Sequence, residues 1–79
     1  MIRETDTVVL AHDLEGFGLK KGDVGAIVHC YRDREGFEVE FVTGEGRTVA
    51  VVTLGLEDIR PIHGEEILHA RASTPNVAA

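Results

Sequence analysis

Few residues of this chain could carry out covalent or metal chemistry. The chain has one cysteine, Cys30, and four histidines, His12, His29, His63 and His69. No two histidines are two or four positions apart, which are the spacings that bring a pair of metal ligands together on one strand or one helix. We therefore expect no metal site, and the sequence indicates no other cofactor.

Cys30 and the pair Glu38 and Glu40 are the remaining candidates for catalysis. Cys30 lies in an apolar segment, where a cysteine behaves as a small hydrophobic side chain. Because it follows His29 directly, the two side chains would point to opposite faces of a strand. Two carboxylates could act as a glycosidase pair, but such a short chain has little room for the necessary cleft. We predict no catalytic residue and a protein that is not an enzyme.

The same two glutamates are the best indication of a binding surface. Glu38 and Glu40 alternate with Phe37, Val39 and Phe41. This alternation predicts a strand with one buried and one hydrated face. The two carboxylates would then project together from the hydrated face.

Three further residues are expected near the glutamates. His29 and Tyr31 would lie beside them on the preceding strand in antiparallel pairing. Phe17 and Tyr31 are two of only four aromatic residues, so their exposure would indicate a site, whereas their burial would make them caps of a thin core. The predicted binding residues are Phe17, His29, Tyr31, Glu38 and Glu40. With no tryptophan and one tyrosine, a groove for proline-rich peptides is not expected.

Five short apolar segments, separated by turns that contain glycine or aspartate, predict an all-β domain. The predicted strands are residues 7–11, 24–31, 37–42, 47–54 and 59–62. A long connection at 12–23, a turn at 32–36, a tight hairpin at 43–46 and a 3₁₀ turn at 55–58 join them. This order predicts a five-stranded SH3-like barrel. An OB barrel usually has a helix between its third and fourth strands, where this chain has only the hairpin.

The C-terminal region is expected to add little to the barrel. Residues 65–72 are predicted as a sixth edge strand, with a short helix as the alternative. The domain is therefore placed at residues 1–72, and residues 73–79 are predicted to be a flexible tail. In the second strand, Ile27 should point into the barrel, and Gly25 should allow a sharp bend or the close approach of another backbone.

Four segments together resemble a bacterial family of short proteins, the family of domain of unknown function 4926. They are DTVVL at 6–10, GLKKGDVG at 18–25, EVEFV at 38–42 and EILH at 66–69. The resemblance extends from Asp6 to Arg71. It implies a small SH3-like or KOW-like protein with a toxin–antitoxin or immunity-type role, and it supplies no catalytic residues.

Charge and composition limit the partners and the location. The chain of 79 residues has 14 acidic and 8 basic residues and a net charge of −6. Nucleic-acid binding is disfavoured because it needs a basic patch. A single cysteine fits a reducing cytoplasm. The N-terminus lacks the apolar region of a signal peptide, and no apolar run approaches the ~20 residues of a membrane span. We expect a cytoplasmic protein that does not bind membranes.

Three hypotheses of function follow from these observations. The first is a non-catalytic protein-interaction module, such as an antitoxin or immunity partner, that binds a basic protein through the Glu38 and Glu40 face. The second is a KOW-like RNA- or ribosome-associated module, based on residues 18–28 and four basic residues. Those four are Lys20, Lys21, Arg32 and Arg34. The third is a structural subunit that forms a homodimer through its sheet edges.

Overall fold

Five β-strands form one antiparallel sheet in the computed structural model, which describes residues 2–32 and 35–72. They are β1 (Thr7–Leu10), β2 (Val24–Cys30), β3 (Phe37–Val42), β4 (Thr48–Leu54) and β5 (Ile59–Pro61). Each strand bound is within one residue of the prediction, and the all-β class is confirmed. None of the described residues forms a helix long and apolar enough to cross a membrane. The predicted tail at 73–79 lies outside the described residues.

The sheet is open, with strand order β4-β3-β2-β1-β5. Within the described ranges, β4 and β5 are therefore edge strands that do not pair with each other. The structure confirms five antiparallel strands, but residues 2–32 and 35–72 make no hydrogen-bonded closure into a barrel. β3 is one of three internal strands and lies between β2 and β4.

The core follows the two-residue period of the strands. Its buried members come from all five strands and from the long connection: Val8, Leu10, Leu19, Ile27, Phe37, Val39, Phe41, Val52, Leu54 and Ile59. Ile27 is 1% exposed, which confirms that it points inward. The alternation predicted for β3 is also confirmed, since its buried residues alternate with half-buried glutamates.

Gly25 of β2 is buried beneath side chains of β3. A Cβ atom at this position would lie 2.7 Å from Cγ1 of Val39 and 2.9 Å from Cε1 of Phe41. The close approach predicted at Gly25 is therefore made by an aromatic ring and a valine, and not by another backbone. An aromatic side chain packed over a glycine also covers the backbone that the glycine leaves exposed.

Gly25→Ala should destabilise the fold, because the added methyl group would overlap the core side chains of β3. Overpacking of this kind costs about 1–3 kcal/mol in the free energy of unfolding. Gly44→Ala is the matched control, since nothing lies within 4 Å of a Cβ at that position, and we expect a change within about 0.5 kcal/mol. Urea denaturation of both variants measures this difference. Equal stabilities would contradict the packing of β3 over Gly25.

The long connection at 12–23 is folded back on itself. It contains a 3₁₀ turn at Glu15–Phe17 that ends at Gly18, whose φ of 70° is left-handed. Leu19 anchors the connection in the core at 3% exposure. The 3₁₀ turn predicted at 55–58 is present as one turn, in which the Asp58 amide donates to the Gly55 carbonyl at 3.0 Å. The Asp58 side chain accepts from the Gly55 amide, so the aspartate fixes the turn without extending it.

His12 joins the long connection to this turn. Its Nε2 lies 2.6 Å from Oδ1 of Asp58, and its Nδ1 lies 3.0 Å from the Asp13 carbonyl oxygen. These two hydrogen bonds raise the pKa of His12 above its usual 6.5, and the bond with Asp58 has the larger effect. The pKa of Asp58 is lowered, mainly by the hydrogen bond from the Gly55 amide and then by the contact with His12.

Stability should therefore depend on pH through His12. Because the folded state raises the pKa of this group, protonated His12 stabilises the fold fully below pH 6.5. That contribution is lost as the pH rises through the folded pKa. The free energy of unfolding, measured across about pH 5.5–8.5, should fall more steeply for the wild type than for His12→Gln. Parallel curves for the two proteins would rule out this contact.

The predicted sixth strand at 65–72 is wrong. Residues 62–72, which we call the C-terminal strap, form no strand or helix. Two bidentate pairs hold the strap: Arg60 donates to both carboxylate oxygens of Glu66 at 2.8 and 2.7 Å, and Arg71 donates to both of Asp23 at 2.8 and 2.6 Å. The Arg60 guanidinium, with the His63 amide, lowers the pKa of Glu66 to about 2. Because of these two ion pairs, the strap crosses the sheet and does not pair along one of its edges.

The strap covers one row of the sheet on the side opposite the core. Val9 alternates with the core residues Val8 and Leu10, yet it is only 5% exposed. A small cavity lined by Val9, Ile62 and Leu68, among others, lies between the sheet and the strap. The side of the sheet that faces away from the core is thus covered at β1 but open at β3 and β4.

Candidate binding surface

Two rows of side chains cross the open part of the sheet, and each has a glutamate at its centre. His29, Glu38 and Thr53 form one row, because Glu38 lies directly opposite each of the other two. Ala26, Glu40 and Val51 form the next row. Directly opposed residues share a face of the sheet. These six residues and Tyr31 make up what we call the outer face.

Glu38 is held by a donor from each neighbouring strand region. Thr53 donates its hydroxyl to Oε2 of Glu38 at 2.5 Å, and Tyr31 donates its hydroxyl to the same oxygen. Both hydrogen bonds lower the pKa of Glu38, and the one from Thr53 has the larger effect. The carboxylate in turn raises the pKa of Tyr31. Glu38 is consequently an oriented anion at neutral pH.

Glu40 is held in the same manner from one side. Thr48 donates its hydroxyl to Oε2 of Glu40 at 2.6 Å. All the hydrogen bonds that described residues donate to these two carboxylates go to Oε2, and none goes to Oε1 of Glu38 or of Glu40. Each glutamate is thus oriented through one oxygen and presents the other, and a carboxylate oxygen can only accept hydrogen bonds.

A β-bulge brings His29 level with Glu38. The pairing of β2 with β3 shifts register between Ile27 and His29, so Val28 is an extra residue on the bulged strand. The His29 ring meets Tyr31 edge to face, with centroids 4.9 Å apart. Its Nδ1 lies 3.6 Å from Oε2 of Glu4. The sequence predicted that His29 lies beside the glutamates, but it could not show the bulge that places it opposite Glu38.

The structure therefore brings four of the five predicted binding residues together. They are His29, Tyr31, Glu38 and Glu40. Phe17 lies in the 3₁₀ turn of the long connection and is 49% exposed. It takes no part in the hydrogen bond and ring contact that join His29, Tyr31 and Glu38. Its role in binding stays a prediction.

Exposed valines border the glutamates. Val28, Val42 and Val51 are 47%, 50% and 51% exposed. Val51 lies directly opposite Glu40, and Val42 follows two positions after Glu40 on β3. Acidic groups bordered by exposed apolar side chains can attract a charged partner and then exclude water from the contact. These valines could not be predicted from the sequence as part of a surface, because nothing in the pattern marks an exposed valine.

Two of the basic residues considered for RNA binding, Lys20 and Lys21, lie next to acidic side chains. The amides of Lys20 and Lys21 donate to the carboxylates of Asp23 and Asp13, both at 2.8 Å. These lysines therefore adjoin two acidic side chains, while Arg34 lies outside the described residues. In the described ranges, no group of three or more histidine, cysteine, aspartate or glutamate side chains could hold a metal ion.

A groove of about 520 Å³ lies between the strap and the hairpin end of β3 and β4. Leu19, Val24, Phe41, Val49 and Leu68 contribute its apolar lining. The Arg71 and Asp23 pair lies at its rim. The groove could not be predicted from the sequence, because its shape depends on the path of the strap.

Thr53→Val should raise the pKa of Glu38 toward its ordinary value of 4.5, because the variant removes the main donor to the carboxylate. Tyr31→Phe should raise it as well. Thr7→Val is the matched control, since Thr7 is an exposed strand threonine on β1. Titration of the Glu38 carboxyl carbon by NMR measures the effect. An unchanged pKa in both test variants would show that Glu38 is not held as described.

Comparison with known proteins places most of the chain in one family. The family described as Domain of unknown function (DUF4926) matches residues 4–61. The match contains all five strands and ends where the strap begins, so the resemblance noted at 66–69 lies outside it. No curated protein and no solved structure matches the chain.

Proposed function

The chain belongs to this family, and we propose that it is a non-catalytic protein-interaction module that binds a basic protein through its outer face. The observation that supports the proposal is the state of the two glutamates. Glu38 and Glu40 are each oriented through Oε2, while Oε1 has no partner within the described chain. A partner's arginine or lysine would supply the missing donors.

The spacing and charge of the glutamates suit such a partner. Residues two apart on one strand are separated by roughly 6.5–7 Å, so two basic side chains can bind side by side. The net charge of −6 would attract a basic surface over a distance and speed its association. Val42 and Val51, next to Glu40, would be covered on binding.

We also propose that the fold is of the SH3-like type. The order β5-β1-β2-β3-β4 agrees with that class, as do the long connection after β1 and the short turn before β5. The proposal extends to a bacterial cytoplasmic protein with an antitoxin or immunity-type role. A single cysteine and an acidic surface suited to a basic toxin support this part.

Reversing the charge of the outer face should abolish partner binding. We expect Glu38→Lys/Glu40→Lys to recover less than about a tenth of the partner that the wild type captures from the source cells, because like charges at an interface are strongly unfavourable. Glu15→Lys/Glu57→Lys is the matched control. It changes the net charge equally at two exposed positions outside the outer face.

Comparing the two double variants distinguishes binding through the outer face from a general effect of negative charge. Recovery should persist in the control pair and should decrease with salt for the wild type, because exposed charges are screened. Equal recovery by the wild type and the Glu38→Lys/Glu40→Lys variant would refute the role of this face. If both double variants lost the partner equally, Glu38 and Glu40 would contribute only through the net charge of the chain.

A further inference from the structure

The two edges of the sheet differ in how well they are protected. β5 is three residues long and ends in Pro61, which has no amide hydrogen. β4 is seven residues long, with the sequence TVAVVTL. Pairing with β3 uses only one side of β4, and no other strand in the described ranges pairs with its other side. Alternate amide and carbonyl groups of β4 therefore point away from the sheet.

β4 also lacks the residues that usually block an edge. Natural edge strands are protected by lysine, proline or inward-pointing charges. Between Thr48 and Leu54 there is no charged residue, proline or glycine. The single bulge, at Val49, lies near the start of the strand. The centre of β4 is therefore a regular, uncharged edge rich in valine.

This edge is suited to a second copy of the same chain. Two copies of a chain with a charge of −6 repel each other, but β4 itself has no charged residue that would oppose its own copy across the edge. If two copies of β4 run antiparallel about Val51, Ala50 lies opposite the partner's Val52 and Val49 lies opposite the partner's Thr53. Every such pair joins residues of the same face, so both cores stay on one side of the joined sheet.

We propose that β4 pairs with β4 of a second copy, with Val51 on the twofold axis, and so forms one continuous ten-stranded sheet. The exposed Val51 side chains, 51% exposed in the single chain, cover each other. The outer faces of the two copies then adjoin, and each carries its own Glu38 and Glu40. This inference concerns self-association and does not depend on the proposed basic partner.

Sedimentation equilibrium of the full chain tests the proposal. The wild type should show a monomer–dimer equilibrium at concentrations up to about 1 mM. Val51→Lys would place two ammonium groups against each other at the axis, and its dimer dissociation constant should rise at least about tenfold. Val28→Lys is the matched control, because Val28 is equally exposed but lies on β2, away from the edge. It should associate like the wild type.

Cross-linking tests the register without depending on the lysine variant. With Cys30→Ala as background, Val51→Cys should form a disulfide-linked dimer on mild oxidation, since opposed residues have Cα atoms about 4.5–5.5 Å apart, within disulfide reach. Val28→Cys should not. A wild type that stays monomeric, equal weakening by both lysine variants, or equal cross-linking at both positions would overturn the proposal.

Discussion

The position of β3 between two antiparallel neighbours is the constraint on which the rest of the structure depends. Phe37, Val39 and Phe41 must point into the hydrophobic core that the described residues form. Because the side-chain period of a strand is two, Glu38 and Glu40 must then point outward. A slip of one residue would bury both carboxylates and expose two aromatic rings, so the core fixes the outer face.

The neighbouring strands convert that fixed position into a defined arrangement of acceptors. Gly25 lets Phe41 pack against β2, and the bulge at Val28 then realigns β2 so that His29 lies opposite Glu38. β4 supplies threonine hydroxyls to both glutamates. The carboxylates are therefore already oriented in the free chain, which would lower the entropy cost of binding the proposed partner.

The parts that could be predicted from the sequence are those determined by local period and turn chemistry. The alternation in β3 and the glycines around each turn predicted all five strands, the buried position of Ile27 and the direction of Glu38 and Glu40. The strap could not be predicted, because the Arg71 and Asp23 pair joins residues 48 positions apart. The bulge at Val28 was also hidden, since inserting one residue into an apolar strand leaves no compositional trace. Closure into a barrel was expected from strand order alone, which does not determine whether the edge strands pair.

We propose a division of roles along β3, in which its buried residues stabilise the fold and its two glutamates serve binding. Equilibrium urea denaturation of three adjacent alanine variants, Glu38→Ala, Val39→Ala and Glu40→Ala, tests it most directly. Val39 is fully buried, and we expect its truncation to cost about 2 kcal/mol or more in the free energy of unfolding. The two glutamate variants should each change it by less than about 1 kcal/mol. A glutamate variant as destabilised as Val39→Ala would contradict the account, because the carboxylates would then serve the fold itself.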